Sequence, residues 1–186
     1  TELQEQAARF ANFLLAQGVK RGDKVAGLLP RTAELLIVVL ASWRIGAVYQ
    51  PLFTAFGPKA IEHRLNSSGA ALVVTDAVNR PKLAEVNDGP TVVTVGGPKG
   101  QGLVRGDYSF WAELERYPAV CEPIMLTGED PFLLMFTSGT TGPAKPLLVP
   151  LKAIVAFQAY TCDAVDLRPE DAFWNLADPG WAYGIY

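Results

Sequence analysis

The chain has 186 residues, 49% hydrophobic and 19% charged, and its sixteen basic and nineteen acidic residues give a formal net charge of -3. That length suits one domain or little more, with a core of its own, and the lack of a basic field disfavours nucleic acid or an anionic membrane as partner. The longest apolar run, residues 35–41, falls far short of the ~20 residues that span a bilayer, and two cysteines, Cys121 and Cys162, are too few for a disulfide scaffold and read as free thiols of a cytoplasmic protein.

Thr1 and Gln4 have capping-box spacing, and Leu3, Ala7, Phe10 and Leu14 follow on one face, which predicts a first helix stopped at Gly18. Residues 23–29 read as a short buried strand closed by Pro30. Thr32 is placed to cap a second helix through Ile45, stopped by Gly46, and residues 47–52 read as a second strand. A third helix is predicted over 58–65, a third strand over 70–75, a weaker helix over 76–86 and a strand over 91–95. Strands separated by helix-length segments form βαβ units, so the expected class is α/β, with mainly parallel sheets flanked by helices.

Residues 96–106 are rich in glycine and without apolar period, which predicts a surface loop. Asp107 is expected to cap a helix running to Tyr117. Residues 118–131 are irregular and are expected to form a hinge between two halves of the sheet system. The apolar strand 132–136 then feeds into Thr137-Ser138-Gly139-Thr140-Thr141-Gly142-Pro143-Ala144-Lys145. A strand over 147–149 and a helix over 151–165 follow.

The segment from Thr137 to Lys145 is the one whose composition demands an explanation. Four hydroxyl side chains and two glycines in six residues make a poor strand and a poor helix. They make a good anion cradle, because glycine lets the backbone approach closely, hydroxyls donate hydrogen bonds, and lysine adds positive charge. On composition alone a solvated Ser/Thr/Gly turn remains the alternative. A Walker A loop is disfavoured, since Pro143 and Ala144 separate Gly142 from Lys145 and a strand, not a helix, follows.

The run from Phe136 to Lys145, FTSGTTGPAK, closely resembles the phosphate-binding signature of the adenylate-forming superfamily, which includes acyl-CoA synthetases, luciferases and peptide-synthetase adenylation domains. Further stretches match in order: residues 15–25, Gly46-Ala47-Val48-Tyr49-Gln50-Pro51-Leu52, and residues 68–76. Arg168-Pro169-Glu170-Asp171 and then Ala177-Asp178-Pro179-Gly180-Trp181-Ala182-Tyr183-Gly184 are similar to a stretch of acetyl- and medium-chain acyl-CoA synthetases.

The resemblance implies an enzyme that joins a small carboxylic acid to ATP, releases pyrophosphate and passes the acyl group from acyl-AMP to coenzyme A. It implies that Thr137, Ser138, Gly139, Thr140, Thr141 and Gly142 wrap the β- and γ-phosphates and that Lys145 neutralises the departing pyrophosphate. Trp181 and Tyr186 are expected near the acyl pocket. The Mg2+ ligand, the adenine and ribose contacts and a mobile C-terminal domain are expected beyond Tyr186, so residues 1–186 are read as an incomplete N-terminal AMP-binding domain, inactive by itself. Two alternatives stand beside this: an adenylation domain serving a carrier protein, and a non-catalytic module that retains the fold. The sequence departs from the superfamily pattern at Ala144-Lys145-Pro146, where P-K-G is usual, and at Leu151, where many members carry histidine. His63 is read as a solvated helix position, Cys121 and Cys162 as small packed residues, and Trp43 and Trp174 as core.

Overall fold

The computed structural model describes residues 1–97, 100–137 and 142–185. Helix α1, Glu2–Ala16, opens with the expected capping box: the Thr1 hydroxyl accepts from the Gln4 N–H and the Gln4 side chain reaches back to the Thr1 nitrogen. Its inner face buries Phe10, Phe13 and Leu14 completely, each contributing about 1.5–3 kcal/mol relative to an exposed position. Then come β1 (Lys24–Leu28), α2 (Ala33–Arg44), β2 (Val48–Pro51), α3 (Pro58–Ser68), β3 (Leu72–Asp76) and β4 (Thr91–Val95). A two-residue strand β5 (Tyr108–Ser109) leads into α4 (Phe110–Arg116), and β6 (Pro131–Thr137), β7 (Lys145–Pro150), α5 (Ala153–Ala159) and α6 (Ala182–Ile185) complete the order.

The described strands form one sheet in the order β5-β4-β3-β1-β2-β6-β7. Every neighbouring pair is parallel except β6 and β7. The α/β class with helices on both faces is therefore as expected. One face carries α1, α2 and α4 over Val25, Tyr49, Leu72 and Leu133. On the other, α3 and the segment after β3 cover Ala26, Leu28, Leu52 and Val73. Alternate residues of β1 and β3 serve opposite cores, as the two-residue strand period requires.

Residues 118–124 run against α1 and α2. Asn12 donates to the carbonyls of Pro118 and Val120, Arg44 donates to that of Cys121, and the Ile124 N–H bonds the Arg44 carbonyl. Among the described residues no helix is long and apolar enough to cross a membrane.

Five local expectations are corrected. Residues 77–86 hold only a 3₁₀ turn, Arg80–Leu83, closed by i→i+3 bonds from the Lys82 N–H to the Asn79 carbonyl and from the Ala84 N–H to the Pro81 carbonyl, while the Asp76 carboxylate accepts from the Asn79 N–H and side chain at its start. Asp107 does not cap α4. Its carboxylate accepts from Arg80, the Thr94 hydroxyl and the Val104 N–H, residues 108–109 join the sheet, and Ser109 becomes the residue before the helix. Trp174 is 78% exposed and Cys162 is exposed, so neither is core. The predicted helix over 151–165 becomes α5 followed by a π-helical turn, Tyr160–Ala164. Trp43 does pack, its indole N–H donating to the Phe132 carbonyl and its ring lying edge-on to Phe132.

Candidate functional site

The parallel strands end along one edge of the sheet, and the loops that leave them there are the natural place for a site. The chain leaving β1 turns into α2 on one face, whereas the chain leaving β2 turns into α3 on the other. Such a parting opens a crevice beyond the carboxyl ends of the strands.

Thr137 is the last residue of β6 and pairs directly with Lys145, the first of β7; Phe136 faces Pro146. Strands β6 and β7 thus form an antiparallel pair whose facing ends, Thr137 and Lys145, lie at the carboxyl edge. Ser138, Gly139, Thr140 and Thr141 lie outside the described residues. Gly142 has φ +118° with open space where a side chain would stand, a conformation that favours glycine. Lys145 is exposed, and its ammonium has no ion-pair partner among the described residues. Pro146 is accommodated because β7 is the last strand of the sheet, where a missing N–H is tolerated.

Helix α3 braces this hairpin. His63 is half-buried, not solvated: its Nε2 lies 2.9 Å from the Ala144 carbonyl oxygen and its ring meets Phe136 edge-on. The neighbouring Arg64 guanidinium lies 4.0 Å above the Phe56 ring and 5.5 Å from the Phe136 ring. Burial draws the Arg64 pKa below the ordinary guanidinium value.

The segment that includes Asp178 docks on the same edge. Arg31, just after β1, donates to the carbonyls of Asn175 and Ala177. Asp178 accepts from the Gly180 N–H at 2.7 Å and the Thr54 hydroxyl at 3.3 Å. Trp181 stands against Phe53 and Phe56, with ring centres 5.6 and 6.4 Å away. Gly180 is required there, since a Cβ would fall 2.3 Å from the Phe53 Cα, a backbone contact that cannot move aside. Lys82 ties the platform from below, donating to the Thr54 carbonyl and the Asn79 side chain. Tyr186 lies outside the described residues.

Underneath, Tyr49 is fully buried, with its hydroxyl unpartnered among the described residues. Burial foremost, and then the Asp178 charge, push its pKa upward. Among the described residues no three His, Cys, Asp or Glu side chains gather as a metal site.

Structure therefore brings the Lys145 hairpin and the Asp178–Trp181 segment to one edge, joined through Phe136, Arg64 and Phe56. Sequence reading missed Arg31, Thr54, Phe56, His63 and Arg64. No local signal marks the first, since Arg31 meets partners 144 and 146 residues away. For α3 the usable signal was a charged and aromatic pattern beside a proline-started helix.

A family model described as AMP-binding enzyme matches residues 1–186. The acetyl-coenzyme A synthetase of Cronobacter sakazakii is 32% identical over 207 residues, covering 98% of this chain and 31% of that protein. The crystal structure of Brucella canis acyl-CoA synthetase superposes with a TM-score of 0.93 at 55% identity, over 98% of this chain and 33% of the other. ATP-bound MatB from Rhodopseudomonas palustris superposes with a TM-score of 0.81 at 28% identity, over 99% of this chain and 36% of that one. The chain spans about a third of the length of the relatives it matches.

Proposed function

The chain belongs to the AMP-binding enzyme family, and from that membership we propose that its parent protein is an AMP-forming acyl-CoA synthetase. A carboxylate oxygen attacks the α-phosphorus of ATP, the bond to the β-phosphate oxygen breaks, and pyrophosphate leaves with that electron pair. Coenzyme A sulfur then displaces AMP from the acyl carbon. The carrying observation is the pairing of Thr137 with Lys145 at the carboxyl edge, beside the docked Asp178–Trp181 segment.

The donor set fits a polyphosphate. Lys145 offers an exposed ammonium and Gly142 leaves its backbone open to close approach, and such charge-assisted bonds contribute about 1.5–3 kcal/mol each. Thr137 and Gly142, with Ser138, Gly139, Thr140 and Thr141 between them, would wrap the β- and γ-phosphates. Lys145 would stabilise charge as it gathers on the departing pyrophosphate, where positioning and electrostatics do most of the work. Trp181, and Tyr186 after it, would wall the acyl side. Mg2+ would be held by one or two carboxylates together with the phosphates, and its protein ligand is proposed to lie in the remainder of the parent.

That remainder, a C-terminal domain included, would also cover the exposed apolar face. Leu147, Leu148, Val155, Trp174 and Leu176 are each half or more exposed on and after the open strand β7, a condition that a finished surface avoids. A cytoplasmic setting agrees with the two unpaired thiols.

The test is exchange of labelled pyrophosphate into ATP by the parent protein. Exchange is expected only when a carboxylic acid is supplied; exchange without acid, or none with any acid, overturns the proposal. Gly180→Ala should raise the KM for the acid about tenfold with little change in the KM for ATP, because the new methyl displaces the Trp181 segment from Phe53.

A further inference from the structure

The contact between α3 and the hairpin joins residues 81 apart in sequence at the one point where the loop ends and Lys145 begins. A carbonyl oxygen can only accept, so His63 Nε2 carries the proton and donates it to Ala144. Nδ1 is then the acceptor nitrogen, and the Ser67 hydroxyl stands 3.4 Å from it to donate. The Phe136 ring closes one side of the imidazole. The imidazole is thereby held in one tautomer, with its donor aimed at the residue before Lys145.

We propose that His63 is a positioning residue for the nucleotide: by holding the Ala144 carbonyl it sets the direction in which the loop exit presents Lys145. This rests on the acyl-adenylate reading above. Two features make the brace necessary here. Beyond Ala144 the chain continues into Pro146 of the edge strand β7, which pairs with β6 on one side and with no described strand on the other, so the sheet restrains Lys145 from the β6 side alone. Before Ala144 comes Gly142 at φ +118°, a point of backbone freedom. His63 supplies the fixed contact between them.

The experiment compares the full-length enzyme with His63→Ala and His63→Gln. In acid-dependent pyrophosphate exchange, His63→Ala should raise the KM for ATP about five- to tenfold, the effect of one lost hydrogen bond, and leave the KM for the acid within about twofold. His63→Gln keeps a side-chain N–H of similar reach and should restore most of the ATP affinity. An unchanged KM for ATP, an equal rise in both KM values, or a glutamine variant no better than alanine overturns the proposal. Hydrogen exchange of the peptide covering residues 142–150 separates this from the functional reading. Faster exchange in His63→Ala, reversed in His63→Gln, supports the brace even if the wild-type enzyme makes no acyl-adenylate, whereas equal exchange in all three proteins refutes it.

Discussion

On the proposed acyl-adenylate reading, Lys145→Ala is expected to slow adenylate formation by the parent protein about a hundred- to a thousandfold while the protein folds normally. The rate effect follows from where charge develops. As the bond to the β-phosphate breaks, negative charge accumulates on the leaving pyrophosphate, and a pre-positioned donor at such a point commonly accounts for that factor. The stability effect is small because Lys145 is exposed at the start of an edge strand and its pairing with Thr137 is by backbone, which puts the substitution within about ±0.5 kcal/mol. Single-turnover release of pyrophosphate, alongside a thermal melt, checks both halves. An adenylation rate equal to wild type would remove Lys145 from the chemistry. Lys145→Arg should fall between, because the guanidinium keeps the charge but spreads it over a planar fork that does not reach as a point.

The largest effect on stability is expected at the Arg80–Asp107 pair, far from the hairpin. Arg80 donates two hydrogen bonds, at 2.7 and 2.8 Å, to a carboxylate whose side chain is only 2% exposed. Arg80→Met leaves that carboxylate buried without its cation, a loss of about 3–5 kcal/mol in urea unfolding. Replacing both residues, as Arg80→Met with Asp107→Leu, should recover most of it, since the uncompensated charge is then gone.

The pH dependence has a definite sign. In the wild type, burial alone would raise the Asp107 pKa, but the bonds from Arg80, Thr94 and the Val104 N–H outweigh it and hold the carboxyl below its usual range. The pair therefore contributes fully above the unfolded carboxylate value, and the contribution is lost as pH falls through the lower folded value. In Arg80→Met the bonds and charge that lower it most specifically are gone and the folded pKa rises, so the deficit should shrink as the pH is lowered through the carboxylate range. A deficit that stays constant with pH would show that lost packing, not charge, is responsible.

The apolar face around β7 bears on both measurements. Leu147 and Leu148 are about half exposed on a strand whose outer edge has no partner among the described residues, so kinetic and stability comparisons belong on the parent protein, where that edge is expected to be covered.

What residues 1–186 determine by themselves is local and periodic. The Thr1–Gln4 capping box, the α1 stripe ending in Leu14, and the apolar runs of β1, β3 and β6 could be read directly, because each depends on spacing within a few residues. The hydroxyl and glycine signature announced itself by composition, and the order of its companion motifs was enough to indicate the family. Tertiary structure alone decided the rest. Asp107 looked like a helix cap and became a buried ion-pair acceptor because Arg80, 27 residues earlier, lies beside it across the sheet edge. The weaker helix over 76–86 is a single 3₁₀ turn, Arg80–Leu83, whose Arg80 and Lys82 side chains reach Asp107 and Thr54 outside the segment, and Trp174 stayed outside because no described element packs over it. His63 looked solvated on its helix and became a brace because α3 lies alongside the hairpin. Sequence spacing carries side-chain type and near neighbours; it does not say which distant carbonyl or guanidinium will complete a hydrogen bond, since that depends on how strands separated by a hundred residues line up in one sheet.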